Sequence, residues 1–149
     1  MRRNTLVAVV IGALTAGTMV AGTTIALAQA DVIKQRQENR KATAGEMKAI
    51  KAIIDANGDV KGAAAHAAKL KELELAFDKM FPAGSDKGDT KALPTVWSDS
   101  AGFQNASANA VAAYGQLAAA GDVATLKAAF AETGKACGGC HTKYRAKLN

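Results

Sequence analysis

The sequence predicts an all-α fold over residues 31–149, an antiparallel four-helix bundle with up-down-up-down connectivity. Beyond residue 30, apolar residues recur at steps of three and four, and no stretch shows the alternation of a half-buried strand. The predicted connections between the first two helices and between the last two are short, which forces each pair to run antiparallel. With 149 residues, 49% of them apolar, we expect one domain with a modest core.

The first two helices are bounded by stop and cap residues. The first is predicted over residues 31–56 and ends at Asn57-Gly58. Asp59 is predicted to cap the second helix, which continues to about Phe81 and stops at Pro82, because proline has no N–H to donate. The predicted inward residues are Ile33, Arg36, Arg40, Thr43, Met47, Ile50 and Ile54 on the first helix, and Ala63, His66, Leu70, Leu73, Phe77 and Met80 on the second.

A polar connection and the third helix follow. Residues 82–94, bounded by the only two prolines and containing glycine, are too long for a tight turn. The third helix is predicted to follow Trp97, with Ser98 or Asp99 as its cap, and to continue until Gly121. Its predicted inward residues are Phe103, Ala106, Ala110, Ala113, Tyr114 and Leu117.

The fourth helix, capped by Asp122, carries reactive and apolar side chains on one face. These are Val123, Leu126, Phe130, Thr133, Cys137, Cys140, His141 and Tyr144. The bundle places the end of this helix level with the start of the first helix, the end of the second and the start of the third. Five of the seven aromatic residues are therefore predicted to gather beside the cysteines: Phe77, Phe81, Trp97, Phe103 and Tyr144.

At the same end, the first helix carries Arg36, Arg40 and Thr43 on its inward stripe. Burial of these side chains against plain apolar neighbours would be costly, so this end is predicted to hold something other than an ordinary core. The alternative is a bundle that splays here and lets the arginines reach water.

Residues 1–30 are predicted to form a cleaved signal peptide. Two arginines precede an uncharged stretch, and Ala28-Gln29-Ala30 has the small-residue pattern of a cleavage site. The mature chain then begins at Asp31, with no membrane insertion expected after cleavage. The alternative is an uncleaved anchor, since the uncharged residues 4–30 are long enough to span a bilayer.

The predicted mature chain is mildly basic. Two of the 19 Lys and Arg residues lie in the signal, which leaves 17 against 13 acidic residues and a formal charge of +4. Charges of both signs are interspersed, without the dense basic tract or interleaved aromatic residues that indicate nucleic-acid binding. We therefore expect a solvated surface and no nucleic-acid partner.

The strongest chemical signal is the Cys-Gly-Gly-Cys-His sequence at 137–141. On a helix, Cys140 and His141 lie three and four residues after Cys137, so the three side chains project over one surface. Such a unit lets two thiols add to the vinyl groups of a haem while the imidazole reaches the iron. The glycines Gly138 and Gly139 have no side chains to obstruct a macrocycle lying against that surface. Export agrees with this prediction, because bacteria attach such haems in the periplasm.

Zinc and a redox-active disulfide are the alternatives. A closed zinc site needs four ligands, and the chain offers two cysteines and His141. His66 lies about eleven residues before Phe77, roughly 16 Å from the haem level at 1.5 Å per residue, and is predicted to be a buried or half-buried structural histidine. Cys-x-x-Cys oxidoreductases use a βαβ context that is not visible in this sequence.

Residues 31–149 resemble the class II c-type cytochromes, the cytochrome c prime family. The most specific element is "CGGCHTKYRAK", placed near the C-terminus. Weaker elements are "VIKQRQENRKA" at 32–42, "FPAGS" at 81–85 and "ALPTVWSDSAGF" at 92–103. The up-down four-helix bundle is a known fold of this family.

The resemblance implies one covalent haem c per chain, with thioether bonds from Cys137 and Cys140 and His141 as the proximal, axial iron ligand. It also places Arg36 and Gln37 beside the haem edge, where an arginine suits a propionate carboxylate. Arg145 looks like the family's basic residue on the proximal side. A solvated cation at the helix C-terminus is the alternative interpretation of Arg145.

Arg40 departs from the pattern of the family. The resemblance places this position on the distal side of the iron, where low-spin electron carriers have Met and five-coordinate members commonly have an apolar residue. Arginine offers no lone pair, so it should not bind iron. Met47 or Met80 is the remaining thioether candidate, and a packing role is expected for both. Arg40 could instead hydrogen-bond a distal water or gas, or turn to a propionate.

The function predicted from these residues is single-electron transfer by a periplasmic haem c protein, with no catalytic constellation and transient acidic redox partners. The alternative is a five-coordinate protein that binds nitric oxide or carbon monoxide at an open distal site. A zinc or thiol structural protein is a third class, which requires that no haem attaches. Because related bundles often dimerise through their first two helices, a homodimer is also among the expectations.

Overall fold

The computed structural model describes residues 20–147. Within that range four long helices form the bundle, so the predicted all-α fold is confirmed. The helices are α1 (Val20–Asp55), α2 (Lys61–Phe77), the short α3 (Thr95–Ser98), α4 (Ser100–Ala118) and α5 (Val123–Tyr144), with a 3-10 turn at Asp78–Met80. Helix α2 packs between α1 and α4, and α5 packs mainly against α4.

The predicted signal peptide lies largely outside the described residues. Residues 1–19 are not described, and residues 20–30 form the start of α1. Cleavage after Ala30 therefore stays a prediction. No helix between residues 20 and 147 is long and apolar enough to cross a membrane.

The predicted turns and caps are largely those observed. Asn57 adopts a left-handed backbone with φ of 48°, and the Gly58 N–H donates to the Ile53 carbonyl at 2.9 Å, which ends α1. At α2 the N-cap position is Val60, which makes no side-chain cap bond, and the predicted Asp59 lies one residue earlier, where its carboxylate accepts from the Lys61 N–H at 3.0 Å. At α5, the Asp122 side chain accepts from the Thr125 N–H at 2.7 Å and the Thr125 hydroxyl accepts from the Asp122 N–H.

Two predicted helix ends were wrong, whereas the predicted start of the third helix was confirmed. The α-helical part of α2 ends at Phe77 rather than near Phe81, because the chain tightens into the 3-10 turn before Pro82. The third long helix, α4, starts at Ser100 after Trp97 with Asp99 as its cap, as predicted, whereas the short α3 that contains Trp97 was not predicted. Helix α4 ends at Ala118 instead of continuing until Gly121.

The interior divides into two clusters along the bundle. The cluster near the α1–α2 and α4–α5 turns contains fully buried aliphatic residues such as Ile50, Leu70 and Leu126. The other cluster, around Val96, Phe103 and Tyr144, lies at the end that carries the cysteines. As predicted, the five aromatic residues named above gather there.

Candidate functional site

A cavity of about 430 Å³ opens at the aromatic end of the bundle. Side chains from α1, α2, α4 and α5 line it, together with the connection that precedes α3. The six residues predicted as site residues all line this one cavity: Arg36, Gln37, Arg40, Cys137, Cys140 and His141. The fold thus brings the Cys-Gly-Gly-Cys-His segment of α5 opposite the arginine stripe of α1.

Burial sets the protonation of the thiols and the imidazole. Both cysteines are half-buried free thiols. Burial, aided by the negative charge of Glu74, raises the pKa of Cys140 to about 11, and burial likewise raises the pKa of Cys137. Burial also lowers the pKa of His141, which favours a neutral imidazole with a nitrogen lone pair available to a metal. Because redox-active thiols need a lowered pKa, these directions count against the disulfide alternative.

Aromatic rings form much of the apolar wall. Phe81 packs edge-on against Phe77 and Phe103, with ring centroids 4.9 Å apart in both pairs. Phe103 in turn meets the Tyr144 ring at 5.4 Å. Such edge-to-face pairs hold large side chains in fixed positions, so this wall presents a defined shape to a ligand.

The end of α5 is fastened to the segment that leads into α3. The Leu93 N–H donates to the Tyr144 carbonyl at 3.0 Å, and the Ala146 N–H donates to the Lys91 carbonyl at 2.8 Å. The Thr95 hydroxyl donates to the Lys143 carbonyl at 2.7 Å. The bonds to the Tyr144 and Lys143 carbonyls satisfy acceptors that a free helix end would leave without partners, and all three bonds fix the turn that follows His141.

Arg36 is buried and organises the connection between α2 and α3. Its Nε donates to the Met80 carbonyl at 2.7 Å, and Nη2 donates to the carbonyl of Ser85 at 3.0 Å and to the Ser85 hydroxyl. Nη1 donates to the Thr90 hydroxyl at 3.3 Å, and the guanidinium lies 4.4 Å from the Phe81 ring centroid. Arg36 is thus held by the protein itself, and its role toward a propionate stays a prediction.

Gln37 lies at the mouth of the cavity. Its amide Nε2 donates to the Asp89 carbonyl at 3.0 Å, a bond exposed to solvent. This contact ties the same connection to α1 from outside.

Arg40 forms an ion pair that was not predicted from the sequence. Its Nη1 donates to Glu74 Oε2 at 2.8 Å, and its Nε and Nη2 donate to Asn39 Oδ1 at 3.0 and 2.5 Å. The guanidinium carbon lies 3.7 Å from the Phe77 ring centroid. The Tyr114 hydroxyl reaches Glu74 Oε2 at 3.5 Å, and Glu74 is only 5% exposed. A charge pair with a buried carboxylate and a partly exposed guanidinium therefore lies in the cavity wall.

The sequence contained a signal for Glu74. It lies four residues after Leu70 and three before Phe77, both on the predicted inward stripe of α2. The surrounding segment alternates charged and apolar residues, which favoured an exposed position. The pairing of Glu74 with Arg40 becomes apparent only when α1 and α2 are packed together.

The remaining histidine and the two candidate methionines are also placed. His66 is half-buried away from the cavity and pairs through Nδ1 with Glu46 Oε2 at 2.6 Å, as a structural histidine should. Met47 lines the cavity and also packs against the aliphatic cluster. Met80 lies in the 3-10 turn, where its carbonyl serves Arg36.

The zinc alternative finds no arrangement of ligands in the described residues. Between residues 20 and 147 there is no group of three or more His, Cys, Asp or Glu side chains placed to hold a metal ion. A closed zinc site needs four such ligands.

The cavity fits a haem in volume and in chemistry. Pockets for cofactors measure about 300–1,000 Å³, and this one has two thiols and an imidazole among aromatic side chains. Arg145 also lines it, and its Nε is buried without a hydrogen-bond partner among residues 20–147. A carboxylate of a bound ligand could satisfy that donor.

Comparisons with known proteins agree with this site. Residues 31–145 match the family described as Cytochrome C'. The chain is 40% identical to cytochrome c' of Rubrivivax gelatinosus, over 78% of this chain and 95% of that protein, and 35% identical to cytochrome c-556 of Rhodopseudomonas palustris, over 90% and 95%.

Solved structures show the same fold. The crystal structure of the Rubrivivax gelatinosus cytochrome c' superposes with a TM-score of 0.70 at 39% identity, covering 78% of this chain and 96% of that one. A nitric oxide complex of a cytochrome c prime variant from Alcaligenes xylosoxidans gives 0.72 at 29% identity, covering 80% and 97%. The chain belongs to the cytochrome c' family, whose proteins bind haem c covalently.

Proposed function

We propose that the chain is an exported haem c protein that exchanges single electrons, with one haem bound through Cys137 and Cys140 and with His141 as the proximal iron ligand. The observation that carries this proposal is the position of the two thiols and the imidazole on the wall of one cavity. When bound, the haem supplies an iron that changes its charge by one electron.

The protein's own residues bind and shield that group. His141 is kept neutral by burial, so its nitrogen is available to the iron. The rings of Phe77, Phe81 and Phe103 exclude water from the interior of the cavity. Gln37 and Lys91 stand at the mouth, where an exposed edge meets a redox partner, and the formal charge of +4 favours acidic partners.

Export rests on the N-terminal sequence. Two arginines, an uncharged stretch and an Ala-x-Ala site indicate a signal peptide, and thioether attachment requires delivery of the apoprotein to the periplasm. No catalytic group is needed for electron exchange, so we propose a carrier and not an enzyme.

Binding of nitric oxide or carbon monoxide is the second candidate function. Arg40 offers no lone pair to a metal, and Met47 is the only thioether in the cavity lining formed by the described residues. Since Met47 also packs in the aliphatic cluster, an open ligand position is the expected state. A relative from Alcaligenes xylosoxidans has been solved as a nitric oxide complex.

Absorption spectra of the ferric and ferrous holoprotein, followed by voltammetry, test both functions. A reversible one-electron wave supports electron exchange, and its absence in a haem-loaded protein contradicts it. High-spin bands and a spectral change with carbon monoxide support gas binding. Low-spin bands that revert to high-spin in Met47→Leu would instead assign Met47 as the second axial ligand.

A further inference from the structure

We propose that Glu74 determines which class of ligand the cavity binds. By neutralising and holding Arg40, Glu74 prevents the guanidinium from binding small monoanions, so that the site binds neutral diatomic molecules. The proposal rests on the proposed haem site and names which ligands that site takes. Glu74 acts through Arg40 and is therefore a positioning residue.

The geometry of the pair supports this role. Glu74 Oε2 accepts from Arg40 Nη1 at 2.8 Å, and the side-chain exposures are 7% for Glu74 and 33% for Arg40. The carboxylate is therefore the more deeply buried partner. A buried carboxylate is costly unless a cation accompanies it, so Glu74 strongly favours an Arg40 side chain that stays in place.

Further contacts fix the guanidinium. Asn39 Oδ1 accepts from its Nε and Nη2, while Asn39 Nδ2 donates to the Leu73 carbonyl at 2.9 Å. The ring of Phe77 covers one face of the guanidinium at 3.7 Å. The Arg40 donors are thus directed to the protein, and the network extends from α1 to α2 and through Tyr114 to α4.

Both members of the pair line the same cavity as the motif. A ligand bound beside the motif therefore lies near one anion and one cation, whose effects on its charge oppose each other.

Loss of one member must expose the charge of the other. With Glu74 neutral, Arg40 presents an uncompensated cation whose Nη1 has lost its acceptor, at the wall of the cavity, where a monoanion is attracted. A neutral diatomic gains little from the same change. The expected signature is a shift in the affinity for anions relative to the affinity for carbon monoxide.

The test uses the holoprotein and four variants. Fluoride and azide are titrated into ferric protein at constant ionic strength, carbon monoxide into ferrous protein, and the ratio of affinities is compared. We expect Glu74→Gln to raise the ratio of fluoride to carbon monoxide affinity by about tenfold, because the Arg40 charge then acts on the anion without its counter-charge. The double variant Glu74→Gln/Arg40→Gln should return close to wild type. Glu72→Gln, which changes an exposed carboxylate on the same helix, should have no effect.

The result that overturns the proposal is a ratio for Glu74→Gln equal to wild type, or a gain that persists in the double variant. If Glu74→Gln does not fold, Arg40→Gln provides the test. This variant leaves Glu74 without its cation and must lower the ratio of fluoride to carbon monoxide affinity, so a ratio equal to or above that of wild type contradicts the proposal. Each of these outcomes is measured on protein that carries haem, so it contradicts the role of Glu74 without contradicting the proposed function. Protein without a haem spectrum would instead reject the proposed function.

Discussion

The hydroxyl of Tyr144 donates a hydrogen bond of 2.7 Å to Oδ2 of Asp99, which joins the end of the motif-bearing helix to the N-terminus of α4. Lys143 Nζ pairs with the same oxygen at 2.6 Å, and Asp99 Oδ1 accepts from the Gly102 N–H at 3.2 Å. One carboxylate therefore caps α4 and holds the last turn of α5, three residues after His141.

Removal of the Tyr144 hydroxyl should loosen this joint. We expect Tyr144→Phe to lower the urea midpoint of the holoprotein, and Asp99→Asn to lower it further because the helix cap is weakened as well. The double variant should lose less stability than the sum of the two single losses, since both changes remove the same contact. A stability loss in the double variant at pH 7 equal to the sum of the two single losses would mean that the contact contributes nothing.

The same carboxylate predicts a pH dependence. Hydrogen bonds from Lys143 and Tyr144 lower the pKa of Asp99 below its ordinary value of 3.8. A lowered folded-state pKa gives stability that is present above the unfolded value and is lost as the pH falls through the folded one. The stability difference between wild type and Asp99→Asn should therefore persist from pH 7 to pH 5 and shrink below about pH 4. A difference that grows on acidification would contradict this assignment.

Gly102 is required by the close approach of these groups. A Cβ at this position would collide with the Asp99 carboxylate and the Tyr144 hydroxyl. Gly102→Ala should destabilise the protein by about 1–3 kcal/mol, the usual cost of overpacking. Gly134→Ala is the matched control in α5, because a Cβ there meets nothing within 4 Å.

That control should raise stability by about 1 kcal/mol, since alanine is the better helix former. Chemical denaturation of both variants measures the contrast. Two variants that change stability in the same direction would show that packing at Gly102 is not the reason for the glycine.

Arg36→Ala should release the connection between α2 and α3. The change leaves the Met80 and Ser85 carbonyls without a charged donor and removes a cation from between Phe81 and Trp97. We expect a loss of about 3 kcal/mol and faster proteolysis within residues 82–94. Lys34→Ala, on an exposed site of the same helix, should change stability by less than about 0.5 kcal/mol. Proteolysis of Arg36→Ala no faster than that of wild type would mean that Arg36 does not hold this connection in place.

Local signals predicted much of the fold. The Asn57-Gly58 stop and the Asp122 cap were visible because they depend on residues only a few positions apart. Ser98 and Asp99 were both candidates for the third cap, and packing selected Asp99, whose second oxygen meets Tyr144.

Partners that are distant in sequence were not predicted. The role of Arg36 toward a propionate stays a prediction, but its bonds to the Met80 and Ser85 carbonyls were not predicted, because backbone carbonyls in a connection leave no pattern in the sequence. Glu74 was missed because a glutamate among lysines and leucines is usually solvated. Only the packing of α1 on α2 brings Arg40 to it.

The intact mass of the mature protein, produced in a host that attaches haem c, tests the central claim most directly. We predict the mass of residues 31–149 plus one haem, retained after denaturation, and loss of that covalent mass in the double variant Cys137→Ser/Cys140→Ser. A wild-type mass equal to that of the bare polypeptide would contradict covalent haem at this site.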